Sequence, residues 1–207
     1  MSLTSKRIAA VLIAGSLASS AGAAIIYFPG QDIPIPTTFE GVTVNFETAA
    51  TTNDLAGAPG MDLNFALGGE AVSNDADETA GAPQAQFVRT GTLSSDPIDN
   101  LTVGVSVVGP GPGTVYASDF GGSTSHIPTT FANGTQGYIG FEFETSSAAT
   151  AYGWALVTFQ NDNTPGVIHE WAYEDSGAPI LVGAIPEPSL PLLATIGLAA
   201  LAFRRQR

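Results

Sequence analysis

Apolar and polar residues alternate one by one along several short segments in the middle of the chain. A period of two places the apolar side chains on one face of a β-strand. The 24 glycines and 14 prolines among 207 residues favour many turns and disfavour long helices. The apolar sets of the predicted strands are Val42, Val44 and Phe46; Met61, Leu63, Phe65 and Leu67; Leu101, Val103, Val105 and Val107; Ile139, Phe141 and Phe143; and those of 152–159 and 167–173. We therefore expect residues 24–184 to form a mainly β domain, an antiparallel β-sandwich of jelly-roll type.

The charges are distributed unevenly along the chain. Apart from Arg89, the basic residues lie near the two ends, so residues 24–184 hold one basic and 18 acidic residues, a net charge of −17. Because phosphate groups are bound through Lys and Arg, this acidic composition argues against nucleic acid and anionic lipid as partners. The absence of cysteine excludes disulfides, cysteine–zinc sites and thiol catalysis.

The first 23 residues have the pattern of a signal peptide. Lys6 and Arg7 provide a basic start, and residues 8–17 form an apolar run. Ala21 and Ala23 place small residues at the positions that a signal peptidase reads. We expect residues 1–23 to form a signal helix that is removed during export.

The last 23 residues combine prolines, an apolar run and a basic end. The motif residues are Pro186, Glu187 and Pro188, and the basic residues are Arg204, Arg205 and Arg207. The uncharged run 190–203 would form a helix of about 21 Å, shorter than the hydrocarbon thickness of a bilayer, about 30 Å. Counting back to residue 185 gives about 28 Å, which nearly spans it. The arginines would stay on the cytoplasmic side of the inner membrane. Residues 185–207 therefore predict a C-terminal transmembrane helix with a basic stop.

The motif, the apolar run and the basic end, in this order, resemble the PEP-CTERM sorting signal. That resemblance implies an exosortase, a membrane protease-transferase, as the processing partner. It also implies an association with exopolysaccharide and biofilm production in Gram-negative bacteria, and a final location at the cell surface or outside the cell. Segments 35–39, 41–45, 62–64, 137–141, 152–155 and 171–174 resemble a recurrent ectodomain of such proteins. No catalytic residue follows from this second resemblance.

Few residues of the domain form patterns that indicate a catalytic or metal-binding site. His126 and His169 stand in no metal-ligand spacing, and alternation groups His169 with Trp171 and Tyr173 in cross-strand packing. The Gly-x-Ser-x-Gly elbow of serine hydrolases is absent, so we predict no catalytic residue. Calcium prefers carboxylate and carbonyl oxygens, and it is the one cofactor for which the sequence offers a candidate site. The candidate calcium ligands are Asp75, Asp77 and Glu78.

Three functions remain open at this point. The first is a non-enzymatic surface or matrix protein, the second a carbohydrate-binding module, with or without calcium, and the third a secreted hydrolase. Exposed aromatic side chains would favour the second, because they stack on sugar rings. These aromatic residues are Tyr152, Trp154, Trp171 and Tyr173. Converging carboxylates, with Glu142 and Glu144 as the candidate pair, or a Ser–His contact would favour the third.

Overall fold

The computed structural model describes residues 24–53, 60–73, 85–89, 98–108, 115–117, 130–161 and 163–187. In these ranges the chain forms β-strands and one short 3-10 turn, Leu67–Gly69. The strands are β1 (Ile25–Phe28), β2 (Ile33–Ile35), β3 (Val42–Val44), β4 (Thr51–Thr52), β5 (Leu63–Ala66), β6 (Ala71–Ser73), β7 (Gln86–Arg89), β8 (Ser106–Val107), β9 (Val115–Ala117), β10 (Gln136–Glu144), β11 (Thr150–Thr158), β12 (Gly166–Glu174) and β13 (Ile180–Leu181). The prediction of a mainly β fold is confirmed.

The two predicted terminal helices lie outside the described residues. The signal helix falls in residues 1–23, and the apolar run of the tail begins beyond residue 187. Within the part of the chain that the structure describes, no helix is long and apolar enough to cross a membrane.

The strands form three antiparallel sheets. The large sheet has the order β1-β12-β11-β10-β7-β9, and β2 also pairs with β12. A second sheet has the order β4-β3-β5-β6, and β13 pairs with β8 in a third sheet of two strands. Each strand pair among the described residues is antiparallel, as the many short strands with Gly and Pro turns predicted.

Three consecutive nine-residue strands, β10, β11 and β12, form the centre of the large sheet. The turn-rich segment 161–166 closes the second hairpin, where the Thr164 N–H donates to the Asn161 carbonyl at 3.0 Å. Gly153 lies opposite Phe141, and a Cβ there would come within 2.5 Å of the Phe141 ring. Glycine at position 153 therefore lets the ring lie across the neighbouring strand.

The main core lies between the large sheet and the four-stranded sheet. Phe46, which follows β3, stacks on Phe141 of β10 with ring centroids 4.1 Å apart. It also meets Trp171 of β12 edge-on, at 5.4 Å and 88°. The Trp171 indole N–H donates to the Phe46 carbonyl at 2.9 Å, so the one polar atom of this side chain is satisfied. The two sheets share this core as the layers of a sandwich do, and the jelly-roll strand order stays a prediction.

A second, smaller core lies on the opposite face of the large sheet. Trp154 of β11 packs there with Val88 of β7 and Ala172 of β12. The two-stranded sheet covers this group with Val107 and Ile180 and with Val182, which follows β13. Both faces of the large sheet are therefore covered, and they are covered by different segments.

The prediction of a continuous strand over residues 101–107 was wrong. Leu101 forms an isolated bridge to Tyr138, the chain turns at Val103 and Gly104, and regular pairing resumes only at Ser106. Gly104 adopts a φ of 86°, in the left-handed region that glycine enters without strain. This turn takes Val103 and Val105 away from the core face that the alternation had assigned to them.

Candidate functional site at the junction of domain and tail

The C-terminal end of the domain is held in place by β13 and the turn that follows it. Ile180 and Val182 are buried in the second core. The Val182 N–H donates to the Val105 carbonyl at 2.8 Å, and the Ala184 N–H donates to the Leu181 carbonyl at 2.9 Å. The backbone is therefore bonded to the domain as far as Ala184.

Trp154 makes the last of these contacts. Its indole N–H donates to the Ala184 carbonyl at 3.2 Å, and its ring meets Tyr138 edge-on at 5.6 Å. Trp154 is 1% exposed, so it provides a rigid, buried anchor for the end of the domain. This contact joins residues 30 positions apart and is not visible in the sequence.

Beyond Ala184 the chain leaves the domain. Ile185, Pro186 and Glu187 are exposed and adopt no regular structure. Pro186 has no backbone N–H and restricts the residue before it to extended conformations. The junction thus presents an extended, accessible backbone, which is the form in which a processing enzyme binds a peptide.

A family model of the PEP-CTERM protein-sorting motif matches residues 184–206. The chain carries a PEP-CTERM sorting motif. This motif indicates an exported protein that passes through the membrane and is sorted through its C-terminal tail, with processing by an exosortase, a membrane-associated sorting enzyme. The match begins at Ala184, the residue that Trp154 holds. Comparisons with curated proteins and with solved structures found no match.

Several predicted site residues lie outside the described residues. Of the PEP-CTERM motif, the structure places Pro186 and Glu187 at the junction, and the sequence match covers the rest. Among the described residues, no group of three His, Asp or Glu side chains is placed to hold a metal ion. The residues outside the described ranges are Ala21, Ala23, Asp75, Asp77, Glu78, His126, Pro188, Arg204, Arg205 and Arg207.

The structure places the aromatic candidates for a sugar platform mostly inside the fold. Trp154 and Trp171 are 1% and 0% exposed, and they lie in different cores on opposite faces of the large sheet. Tyr173 is buried with Trp171, and Tyr152 is half-buried. A platform requires exposed rings on one surface, so these four residues do not supply one.

The carboxylate pair lies on β10 at the edge of the second core. Glu142 is half-buried, and burial raises the pKa of its carboxyl group, whereas Glu144 is exposed. The positions paired with Glu142 on the neighbouring strands are Gln86 and Tyr152. Neither of these two residues has a carboxylate. The candidate pair therefore consists of two residues of the same strand, without a carboxylate that faces Glu142 from a neighbouring strand.

A hydrogen-bonded chain of side chains that the sequence did not predict lies at the end of β11. The Thr158 hydroxyl is 2.8 Å from His169 Nε2, and His169 Nδ1 is 2.9 Å from Asp32 Oδ1. A hydroxyl, an imidazole and a carboxylate in this order occur in hydrolase triads. The N–H groups of Gln31 and Asp32 both donate to the His169 carbonyl, so neither is free to stabilise an oxyanion.

A β-bulge creates this cluster. Leu156 pairs with Glu170 and Val157 pairs with Ile168, so His169 is the extra residue of β12. Ile168 and Trp171 both face the main core, although residues three positions apart lie on opposite faces of a regular strand. Even-numbered residues therefore face the core before the bulge and odd-numbered residues after it. The prediction that His169 packs with Trp171 and Tyr173 was wrong for this reason. Asp32 is 137 positions from His169, and no local pattern marks either partner.

Proposed function

We propose that this is a non-enzymatic protein of the cell surface or the extracellular matrix, displayed through its C-terminal tail. The acidic β domain is exported, held briefly at the inner membrane by the tail, and released by exosortase cleavage. The association of PEP-CTERM sorting with exopolysaccharide favours the polymer matrix of a biofilm as its destination. The observation that carries the proposal is the coincidence of the sorting match with the end of the fold at Ala184.

The position of the other end of the domain supports export as well. The backbone nitrogen of Ala24 lies 3.3 Å from Asp175 Oδ1. Cleavage after Ala23, the predicted site, would convert this nitrogen into a charged α-amine beside a carboxylate. In a domain with 18 acidic residues and one basic residue, that pairing offsets part of the self-repulsion.

A chain that ends at Ala184 tests the sorting role of the tail. This truncation keeps β13 and the Trp154–Ala184 contact, so the domain should fold as before. In a host with an exosortase, the truncated protein should be soluble in the periplasm. Full-length protein should fractionate first with the membrane and later as a shortened surface or secreted form. Fractionation by centrifugation and immunoblotting measures both.

A matched variant separates the motif from the apolar run. Substituting Pro186→Ala, Glu187→Gln and Pro188→Ala leaves the length of the tail and its arginines unchanged. This variant should stay in the membrane fraction at full length, because the anchor is present and the processing signal is absent. Identical fractionation of the full-length, truncated and substituted proteins would refute the sorting proposal.

A secreted hydrolase is the second candidate function, because Thr158, His169 and Asp32 are hydrogen bonded in the order of a triad. The surroundings weaken this candidate. Asp32 is 70% exposed on its side chain, and its backbone N–H is already bonded to the His169 carbonyl. The cluster fits a structural role equally well, because it links the start of β2 to the bulge in β12.

A screen of ester, peptide and polysaccharide substrates distinguishes the two functions. We expect wild-type protein and Thr158→Val to give the same background rate, since valine keeps the shape of threonine without the hydroxyl group. Turnover by the wild type that Thr158→Val abolishes and Thr158→Ser preserves would establish the hydrolase and overturn the non-enzymatic proposal.

A further inference from the structure

An exposed apolar surface adjoins the point where the tail leaves the domain. Large apolar side chains are exposed at five described positions, and Phe39 is the one that lies elsewhere. The other four, which we call the apolar patch, are Val103 (67% exposed), Val105 (40%), Leu181 (52%) and Ile185 (52%).

Backbone hydrogen bonds hold the two segments of the apolar patch together. The Gly104 N–H donates to the Val182 carbonyl at 2.9 Å, and the Val182 N–H donates to the Val105 carbonyl at 2.8 Å. A Cβ on Gly183 would lie 3.2 Å from Val103, so this side chain covers the turn before the tail. Val103, Val105 and Leu181 therefore belong to the folded domain, and Ile185 is the first residue beyond it.

The two segments that carry the apolar patch contain no charged residue. Residues 100–108 and 176–186 contain no Asp, Glu, Lys or Arg, although the domain as a whole has a net charge of −17. Acidic faces of the domain would be repelled by the anionic lipids of an inner membrane. Segments without carboxylates add nothing to that repulsion.

The tail limits how far the apolar patch lies from the bilayer. Ala184 is held by Trp154, and the apolar run begins at Leu190 after the short segment 185–189. The five residues 185–189 span at most about 18 Å even when fully extended. While the tail is anchored, the patch is thus kept next to the membrane surface at a high effective concentration.

We propose that the apolar patch docks on the outer leaflet of the inner membrane while the tail is anchored, an inference that rests on the proposed sorting function. Contact with lipid removes the four side chains from water and turns the acidic faces of the domain outward. It also holds the exposed residues Pro186 and Glu187 at the membrane surface, where a membrane-associated exosortase acts. Cleavage of the tail then releases the domain.

Single-cysteine labelling tests this orientation, because the chain has no cysteine of its own. Full-length protein is reconstituted into vesicles of phosphatidylethanolamine and phosphatidylglycerol, with an environment-sensitive fluorophore at Thr102→Cys. The matched control is Thr51→Cys, another exposed threonine, on β4 of the sheet that covers the opposite face of the large sheet. A quencher attached to lipid should quench the label at 102 severalfold more than the label at 51.

A second variant separates docking from mere proximity. A variant that combines Val103→Ser, Val105→Ser and Leu181→Ser should reduce the quenching at 102 severalfold. The control substitution Phe39→Ser should leave the quenching unchanged. Equal quenching at 102 and 51 in protein that floats with the vesicles would overturn docking and leave the sorting proposal intact. If quenching at 102 requires added exosortase, the apolar patch binds the enzyme and not lipid, and lipid docking would be overturned. Failure to float would refute the anchor itself and docking with it.

Discussion

Replacing Trp171 with alanine is expected to lower the free energy of unfolding by about 3–5 kcal/mol, the range for a large aromatic side chain removed from a core. Trp171 is 0% exposed, and its ring stacks on Phe28 with centroids 5.0 Å apart. It also meets Phe46 edge-on and bonds to the Phe46 carbonyl, so it joins the large sheet to the segment after β3. Alanine would leave a cavity between the two sheets and an unpaired buried carbonyl.

Urea denaturation followed by circular dichroism measures this loss on the chain of residues 24–184. Trp171→Phe should cost less, about 1–3 kcal/mol, because it keeps an aromatic ring and leaves only the Phe46 carbonyl unpaired. Phe39→Ala, at an exposed position, should change stability by less than about 0.5 kcal/mol. A Trp171→Ala protein within about 1 kcal/mol of the wild type would contradict the assignment of this residue to the main core.

Replacing Asp62 with asparagine should stabilise the protein at neutral and alkaline pH and have little effect near pH 4. Burial raises the pKa of the Asp62 carboxyl group from 3.8 to about 7, and the nearby Glu47 carboxylate adds to the shift. The hydrogen bond from the Phe46 N–H, at 2.6 Å, acts in the opposite direction. The folded state therefore retains this proton to a higher pH than the unfolded state does.

The sign of the effect follows from this difference. A group whose folded-state pKa is raised stabilises the fold fully below its unfolded pKa, and that contribution is lost as pH rises through about 7. At about 1.4 kcal/mol per pKa unit, the wild type should lose up to about 4 kcal/mol relative to Asp62→Asn between pH 4 and pH 8. Asparagine keeps an oxygen that accepts the Phe46 N–H and cannot ionise.

Urea denaturation of both proteins across this pH range gives the difference directly. Taking the difference removes the changes that all other carboxyl groups cause in both proteins. Glu40→Gln serves as the control, because Glu40 is exposed. This substitution removes one negative charge from the surface and leaves the buried carboxyl group of Asp62 in place. A stability difference between wild type and Asp62→Asn that is the same at pH 4 and pH 8 would show that Asp62 ionises normally.

The strands and the sorting tail were predictable because both depend on patterns among residues that are close together in the sequence. Strands β10, β11 and β12 contain the predicted segments 139–143, 152–159 and 167–173, and the loop between β11 and β12 follows from the turn residues of 161–166. The sorting motif is linear, so residues 184–206 match it without reference to any other part of the chain. The acidic character of the domain likewise follows from counting charges.

The bulge at His169 shows where local patterns fail. Alternation assigns a face only relative to the residues beside it, and one extra residue in β12 reverses the assignment for the rest of the strand. The partners of His169 come from β11 and from the segment before β2, which the sheet topology brings together. The hydroxyl–imidazole–carboxylate chain could therefore not be found by motif or spacing.

The sequence alone determined that this chain forms an antiparallel β domain followed by a sorting motif, because alternation, turns and linear motifs depend on neighbouring residues. The tertiary structure decided which apolar side chains are covered. Trp154 is buried because β8 and β13 lie over it, whereas Val103 and Val105 are exposed because the chain turns at Gly104. Burial depends on segments distant in the chain, and so the anchor of the tail and the apolar patch beside it emerge only from the fold.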